Sequence, residues 1–346
     1  MLAVVMQEFG APQVLEAREV AEPEPGPGQV RVDVAYASVT FVETQVRSGT
    51  GPFGRPPLPR VPGNGVGGRV TAVGPGVDPA LRDATVVTTT GGTGGYAERA
   101  LARADDVVPV PPGLDLRDAV ALLADGRTAL LLHRQAAVEP GEKVLVEAAA
   151  GGVGSLLVQL AVHAGARVVG AARGARKAEL IASLGARPVD YSEDGWLDRV
   201  REAADGAVDL VFDGVGGRIG TEATDVLRPG GRISRYGMAS GADAEPDEAA
   251  LAARGVRPLV LSAAPTPAET RALIGDALRL AVHGTLRPVI GQTFPLASAA
   301  AAHAAIEARA TVGKTLLVVG DVEPAGVEGD VGQVTVTGWR TTASNR

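Results

Sequence analysis

Residues 147–161, EAAAGGVGSLLVQLA, set Ala149, Gly151 and Gly154 at the G-x-G-x-x-G spacing, with alanine in the first place. Glycine at 151 lets the backbone approach a pyrophosphate, and glycine at 154 lets a helix pack closely against a strand. A helix that starts there offers unpaired N–H groups and a partial positive charge to phosphates. The whole turn, Ala149 to Gly154 with Gly152 and Val153 inside it, is therefore a candidate cofactor-binding segment.

A second signal lies downstream. NAD-specific sites carry an acid roughly 20 residues after the glycine turn, where it accepts from the ribose 2′-hydroxyl. Here the stretch reads VVGAARGARKAE, with no carboxylate from Val168 to Lys177 but with Arg173, Arg176 and Lys177 clustered. Cations at that place would pair with a 2′-phosphate. They are also mildly unfavourable at a helix start, so a purely structural role explains them poorly. The expected cofactor is NADPH.

The chemistry that composition excludes is as informative. The 346-residue chain has no cysteine, which removes disulfides, thiol nucleophiles and every cysteine-containing zinc site. Its four histidines, His133, His163, His283 and His303, are scattered, and three fall in alanine- and leucine-rich helical patterns. A net charge of -7 argues against a nucleic-acid or anionic-membrane surface. No apolar run approaches the roughly 20 residues of a membrane span. The N-terminus, MLAVVMQEFG, is no signal peptide, so a cytoplasmic location is expected.

The elements that must hold the turn follow from periodicity. Lys143–Glu147 is a short apolar run suited to a buried parallel strand, and Val153, Leu156, Leu157, Leu160, Ala161 and Ala164 recur at helical spacing. Residues 1–124 are β-rich: 29–36 alternate strictly, and short strands are expected at 68–73, 84–89 and 96–101 between proline and glycine clusters. That pattern suggests a small distorted barrel. Residues 125–265 alternate strand and helix, with strands expected at 143–147, 167–171, 188–190, 209–213, 231–236 and 257–261, as in a doubly wound parallel sheet. Residues 266–283 suit one long helix, and the strand, helix and strand up to 320 are too few to fold alone, so they should complete the first domain. The tail, 321–346, has no assigned role and is expected to have low order.

Along residues 1 to about 320 the chain resembles the zinc-independent medium-chain dehydrogenases/reductases of the quinone oxidoreductase group. The stretches GPGQVRVDVAYASV, FVETQVRSG, GGYAER, AAAGGVGSLLVQLA, LGARPVDY, VFDGVGG, LRPGGRISRYG and ATVGKTLLVV carry the likeness, in order. Zinc-dependent relatives place a cysteine near residue 40 and Gly-His-Glu near 64. Those regions here are SVTFVET and PGNGVGG, without a ligand. The resemblance implies an α/β protein, a GroES-like barrel joined to a Rossmann domain, and a metal-free, NADPH-dependent reductase of quinones or other conjugated carbonyls. A biosynthetic enoyl or enone reductase is the first alternative. A cofactor-binding protein with vestigial activity and a structural or regulatory role is the second.

The same resemblance implies site residues. Positions matching Lys177 and Tyr191 line the adenosine phosphate, Thr128 approaches the nicotinamide amide, and Gly214, Val215, Tyr236 and Gly237 border the cofactor. Thr40, Phe41, Thr50 and the 51–60 loop, with Phe53, would line a substrate pocket in the cleft between domains. Two departures matter: Thr40 stands where many quinone oxidoreductases have asparagine, and Thr50 where enoyl-thioester reductases have a proton-donating tyrosine. Besides Tyr36, the protic candidates nearby are Glu43 and Tyr96. The catalytic candidates are thus Thr40, Glu43 and Tyr96. An unblunted edge strand at 256–264 further predicts a homodimer.

Overall fold

The computed structural model describes residues 1–52, 54–260 and 264–320. The first part of the chain forms β1 (Leu2–Met6), β2 (Leu15–Glu19), β3 (Gln29–Val39), α1 (Phe41–Ser48), β4 (Gly65–Val73), β5 (Thr85–Thr89), β6 (Arg99–Arg103), β7 (Val108–Pro109) and α2 (Leu116–Ala136). There follow β8 (Lys143–Glu147), α3 (Gly152–His163), β9 (Arg167–Ala172), α4 (Ala175–Ser183), β10 (Arg187–Asp190), α5 (Trp196–Ala204) and β11 (Val208–Asp213). Next are α6 (Gly217–Glu222), β12 (Leu227–Arg235), α7 (Glu248–Ala253), β13 (Arg257–Pro258), α8 (Pro267–Val282), β14 (Ile290–Pro295), α9 (Ala299–Glu307) and β15 (Lys314–Val318).

Two larger sheets result. The first runs β14-β15-β3-β4-β5-β7, with β6 also paired to β3. The long β3 organises it, because its strict alternation buries Val30, Val32 and Val34. β14 and β15 are late elements of the chain that join this sheet beside β3. The second sheet is parallel throughout, in the order β10-β9-β8-β11-β12-β13. Numbered within the sheet this is 3-2-1-4-5-6, which places its topological switch point between β8 and β11.

Helix α2 joins the two sheets. It packs on β3, β4 and β5 and on α3 and α8. Asp115 starts it by accepting from the Arg117 N–H at 2.7 Å. The expected boundary at 124/125 lies inside this helix, whose LLADGRTALLLHRQ run conceals the change from one domain to the next.

Three element assignments differ from the sequence expectation. Residues 96–98 precede β6 rather than opening it: the Tyr96 N–H donates to Pro62 and Ala97 makes only a single bridge to Ala3. β12 starts at Leu227 because a register shift accommodates Pro229 and Gly230 beside β11. β13 pairs only Arg257 and Pro258 with β12, so the strand expected over 257–261 is shorter, and 261–263 lie outside the described residues. The tail, 321–346, lies outside them as well.

Candidate cofactor site and the polar cluster beside it

The glycine turn links the end of β8 to the start of α3. Ala148 adopts φ 48°, Gly151 is the extended N-cap of α3, and the Ser155 N–H closes onto the Gly151 carbonyl at 2.9 Å. Ala149 is fully buried and its N–H reaches the Ala171 carbonyl at 3.2 Å. A Cβ on Gly154 would overlap the Ala148 carbonyl, and one on Gly152 would overlap the Asp125 carboxylate. Strand and helix can meet here only without side chains. Val153 is half-buried in the first turn. The free N–H groups at the start of α3 thus face the crest of the sheet, where phosphate would sit.

A segment from the other sheet closes over this turn. The Gly313 N–H donates to the Ala150 carbonyl at 2.7 Å, and Gly151 and Gly313 form an isolated bridge. The neighbouring Lys314, almost fully buried, pairs with Asp125 on α2 at 3.1 Å. Barrel and cofactor sheet therefore share the turn.

Beyond β9 the cations converge. Lys177 Nζ donates to the Arg309 carbonyl at 2.9 Å. Burial lowers the Lys177 ammonium from its ordinary value, and the charges of Arg173, Arg309 and Arg176 add to that. Burial raises the Tyr191 phenol, while Arg309 and Arg173 pull it back. Arg173 and Arg176 are exposed. The nearby carboxylate, Asp190, is occupied: it accepts from the Gly174 N–H at 2.7 Å and from Ser192 at 2.6 and 2.8 Å. Arg309 is not legible from sequence because it follows α9, more than 150 residues beyond the glycine turn and on the barrel's return segment. A positive φ of 55° just past a helix end was its one local sign, and that is invisible in sequence.

Tyr236 and Thr128 line one cavity of about 410 Å³ between α2 and the end of β12. Thr128 Oγ1 donates to the Ala124 carbonyl at 2.8 Å, and Tyr236 Oη to the Glu147 carbonyl at 3.2 Å. The phenol of Tyr236 lies where a Cβ on residue 214 would be, so Gly214 admits it. The loops after β11 and β12 are tied together: Ala239 donates to Gly214 and Ser240 to Val215, at 3.2 and 2.8 Å. Gly237 packs on Gly214 in the same crossing.

Thr40, Glu43 and Tyr96, distant in sequence, also meet. Glu43 Oε2 accepts from the Thr40 N–H at 2.7 Å, Thr40 Oγ1 at 3.1 Å and Tyr96 Oη at 3.2 Å. Its Oε1 accepts from the Asn64 N–H at 2.9 Å. Burial pushes the Glu43 carboxyl up from its usual range, opposed by the Thr40 N–H, the Lys314 charge and the Asn64 N–H. Tyr96 is fully buried, and its Oη also lies 3.0 Å from His303 Nε2. Burial and the Glu43 charge hold its phenol well above the ordinary value. His303, buried and near Arg47, is pushed down to about 3 and stays neutral. The cluster fixes the start of α1 and pins the loop before β6 to α9. Phe41 and Thr50 occupy opposite ends of α1; Thr50 Oγ1 meets Ser48 Oγ at 2.8 Å. Phe53 lies outside the described residues.

A Rossmann sheet with a phosphate turn at its first strand, joined to a GroES-like barrel, defines a two-domain nicotinamide-dinucleotide oxidoreductase fold. Residues 26–112 match the alcohol dehydrogenase GroES-like domain and residues 152–274 the zinc-binding dehydrogenase family. The chain is 35% identical over 317 residues to a quinone oxidoreductase of Pseudomonas aeruginosa, covering 90% of this chain and 97% of that one. It is also 35% identical to a 2-haloacrylate reductase of a Burkholderia species, covering 92% and 99%. A mycobacterial protein solved in complex with NADPH superposes with a TM-score of 0.83 at 34% identity, over 92% of this chain and 99% of the other. The chain belongs to the zinc-independent quinone oxidoreductase group of the medium-chain dehydrogenases/reductases. Among the described residues no three histidine, aspartate or glutamate side chains come together as metal ligands, and no helix is long and apolar enough to cross a membrane.

Proposed function

We propose that this protein is an NADPH-dependent reductase whose acceptors are quinones or similarly electrophilic conjugated carbonyls. The observation that carries the reading is the cation group of Arg173, Lys177 and Arg309, with which no carboxylate pairs among the described residues, beside a turn in which Gly152 and Gly154 leave no room for a side chain. Those cations would hold the 2′-phosphate, Gly151 and the start of α3 the pyrophosphate, and Thr128 and Tyr236 the nicotinamide end. The cofactor supplies hydride chemistry; the protein supplies binding, orientation and exclusion of water.

The polar cluster supports the acceptor class. Both oxygens of Glu43 are occupied as acceptors, and the Tyr96 hydroxyl is committed inside the barrel. Neither is free to hand a proton to an acceptor. A quinone needs none, because reduction leaves a hydroquinone anion that water can protonate, whereas an enolate gains from a placed donor. The 2-haloacrylate reductase relative favours a second reading, an activated-alkene reductase protonated by solvent. Following NADPH oxidation with a benzoquinone, an enone and an enoyl thioester separates them. Quinone should turn over fastest, and inertness toward all three would defeat the enzymatic reading. Activity should survive chelator, since sequence offers no cysteine and no ligand at Thr40 or Asn64.

Assembly is a further part of the proposal. β13 is the sheet's last strand and Val260 beside it is 72% exposed, which supports pairing of 256–264 across a two-fold axis. Light scattering should give twice the 35.0 kDa chain mass.

A further inference from the structure

Beneath the cofactor crest lie two carboxyl groups that nothing above employs. Glu147 ends β8 and Asp213 ends β11, the adjacent strands of the switch point, whose register sets Phe212 opposite Val146. The next residues on each strand are therefore level, and alternation turns both side chains to the face that buries Leu145 and Val211. Glu147 is 0% and Asp213 1% exposed. Asp213 Oδ1 accepts from the Val215 and Gly216 N–H groups at 2.9 and 2.8 Å. Among the described residues no N–H or O–H donor reaches Asp213 Oδ2 or either Glu147 oxygen in good geometry, and the Val215 N–H, which favours the Glu147 charge, is the least of the influences on it.

Two carboxylates cannot both be ionised side by side in a dry interior, and one retained proton turns the repulsion into a hydrogen bond. Burial first, and then the Asp213 charge, hold the Glu147 carboxyl well above the ordinary range. Among the described residues no lysine or arginine pairs with either carboxyl group. Tyr236 and Tyr191 present phenols, Asp125 is itself paired with Lys314, and Arg309 and Arg173 bear on Tyr191. We propose that Glu147 and Asp213 share one proton, and that the protonated pair holds the Gly214–Gly216 turn in the position that receives the cofactor. The inference rests on the NADPH reading above. Glu147 is then a positioning residue: its hydroxyl fixes Asp213 Oδ2, and Asp213 Oδ1 fixes the turn. The shared proton also removes one negative charge from below a site that must accept phosphates.

Loss of that proton at alkaline pH should weaken cofactor binding, because the doubly ionised pair repels both itself and the phosphates. By linkage the dissociation constant should rise about tenfold for each pH unit above the pair's second ionisation. Lys177 also loses its charge on the alkaline side, but it acts on the 2′-phosphate, so NADH reports the pair alone.

The test joins infrared spectroscopy of the full chain to NADPH and NADH titrations across alkaline pH. At neutral pH the unaltered protein should show the carbonyl stretch of a protonated carboxyl, shifted in D2O and missing from Glu147→Gln. Glu147→Gln keeps a donor to Asp213 without a titratable proton, so its NADH affinity should stay level where that of the unaltered protein falls. Should that variant not fold, Asp213→Asn must move or abolish the band, because the proton's acceptor has changed. No such band at neutral pH, a band unmoved by these substitutions, or parallel pH profiles would overturn the proposal. A band without NADPH binding at any pH would defeat the cofactor reading and, with it, the positioning role, while leaving the shared proton established.

Discussion

The two ends of the proposed site are built on opposite principles. At the phosphate end, cations crowd together against their own repulsion, and Arg173 and Arg176 stay exposed, paired with no carboxylate among the described residues. At the barrel end, Thr40, Glu43, Tyr96 and His303 are hydrogen-bonded to one another inside the protein, with only His303 Nδ1 of the four left without a partner among the described residues. An arrangement that is uncomfortable alone is completed by a ligand; one that is comfortable alone is scaffold. On the proposed reading, recognition belongs to the first end and mechanical support to the second, although both consist of polar residues in motifs of the family.

Substitutions can break this contrast at either end. Gly154→Ala should have the largest effect, because the Ala148 carbonyl is backbone and cannot turn away. Displacing α3 from the turn should weaken NADPH and NADH alike by about a hundredfold, on the order of 2.7 kcal/mol, in a binding titration. Lys177→Ala and Arg309→Ala should each weaken NADPH by about tenfold, or ~1.4 kcal/mol, and leave NADH unchanged. Equal losses for both cofactors would move these residues from recognition to structure.

At the barrel end the effects should fall on stability. His303 is neutral when folded, with its ionisation pushed down to about 3, whereas an unfolded histidine takes a proton near 6.5. The unfolded state therefore binds more protons between those values, so stability is lost as pH falls from about 6.5 toward 3. Thermal melts of His303→Gln should show a flatter acid limb than the unaltered protein. Tyr96→Phe should have the smallest effect, costing about 1–2 kcal/mol of stability through the donor lost to Glu43. Its kcat with quinone should change less than about twofold; a large fall in kcat would make Tyr96 catalytic and erase the contrast.

The phosphate end was more legible in sequence than the barrel end. Glycine spacing, the flanking strand and helix, and the missing acid before Lys177 are all local, so they survive reading along the chain. Arg309 was hidden because the return segment delivers it from across the fold. The convergence of Glu43 on Tyr96 and His303 likewise depends on tertiary packing of α1 against α9, which no spacing reveals. In the fold, α2 obscured the domain boundary because one continuous helix serves both sheets. In sequence Glu147 is only the last residue of an apolar strand, and its burial beside Asp213 follows from strand order.

Parallel titrations of the unaltered protein with NADPH and NADH at neutral pH test the central claim most directly. If the cations beyond β9 recognise a 2′-phosphate, NADPH will bind at least about tenfold tighter, equivalent to ~1.4 kcal/mol. Equal affinities, or a preference for NADH, would contradict it.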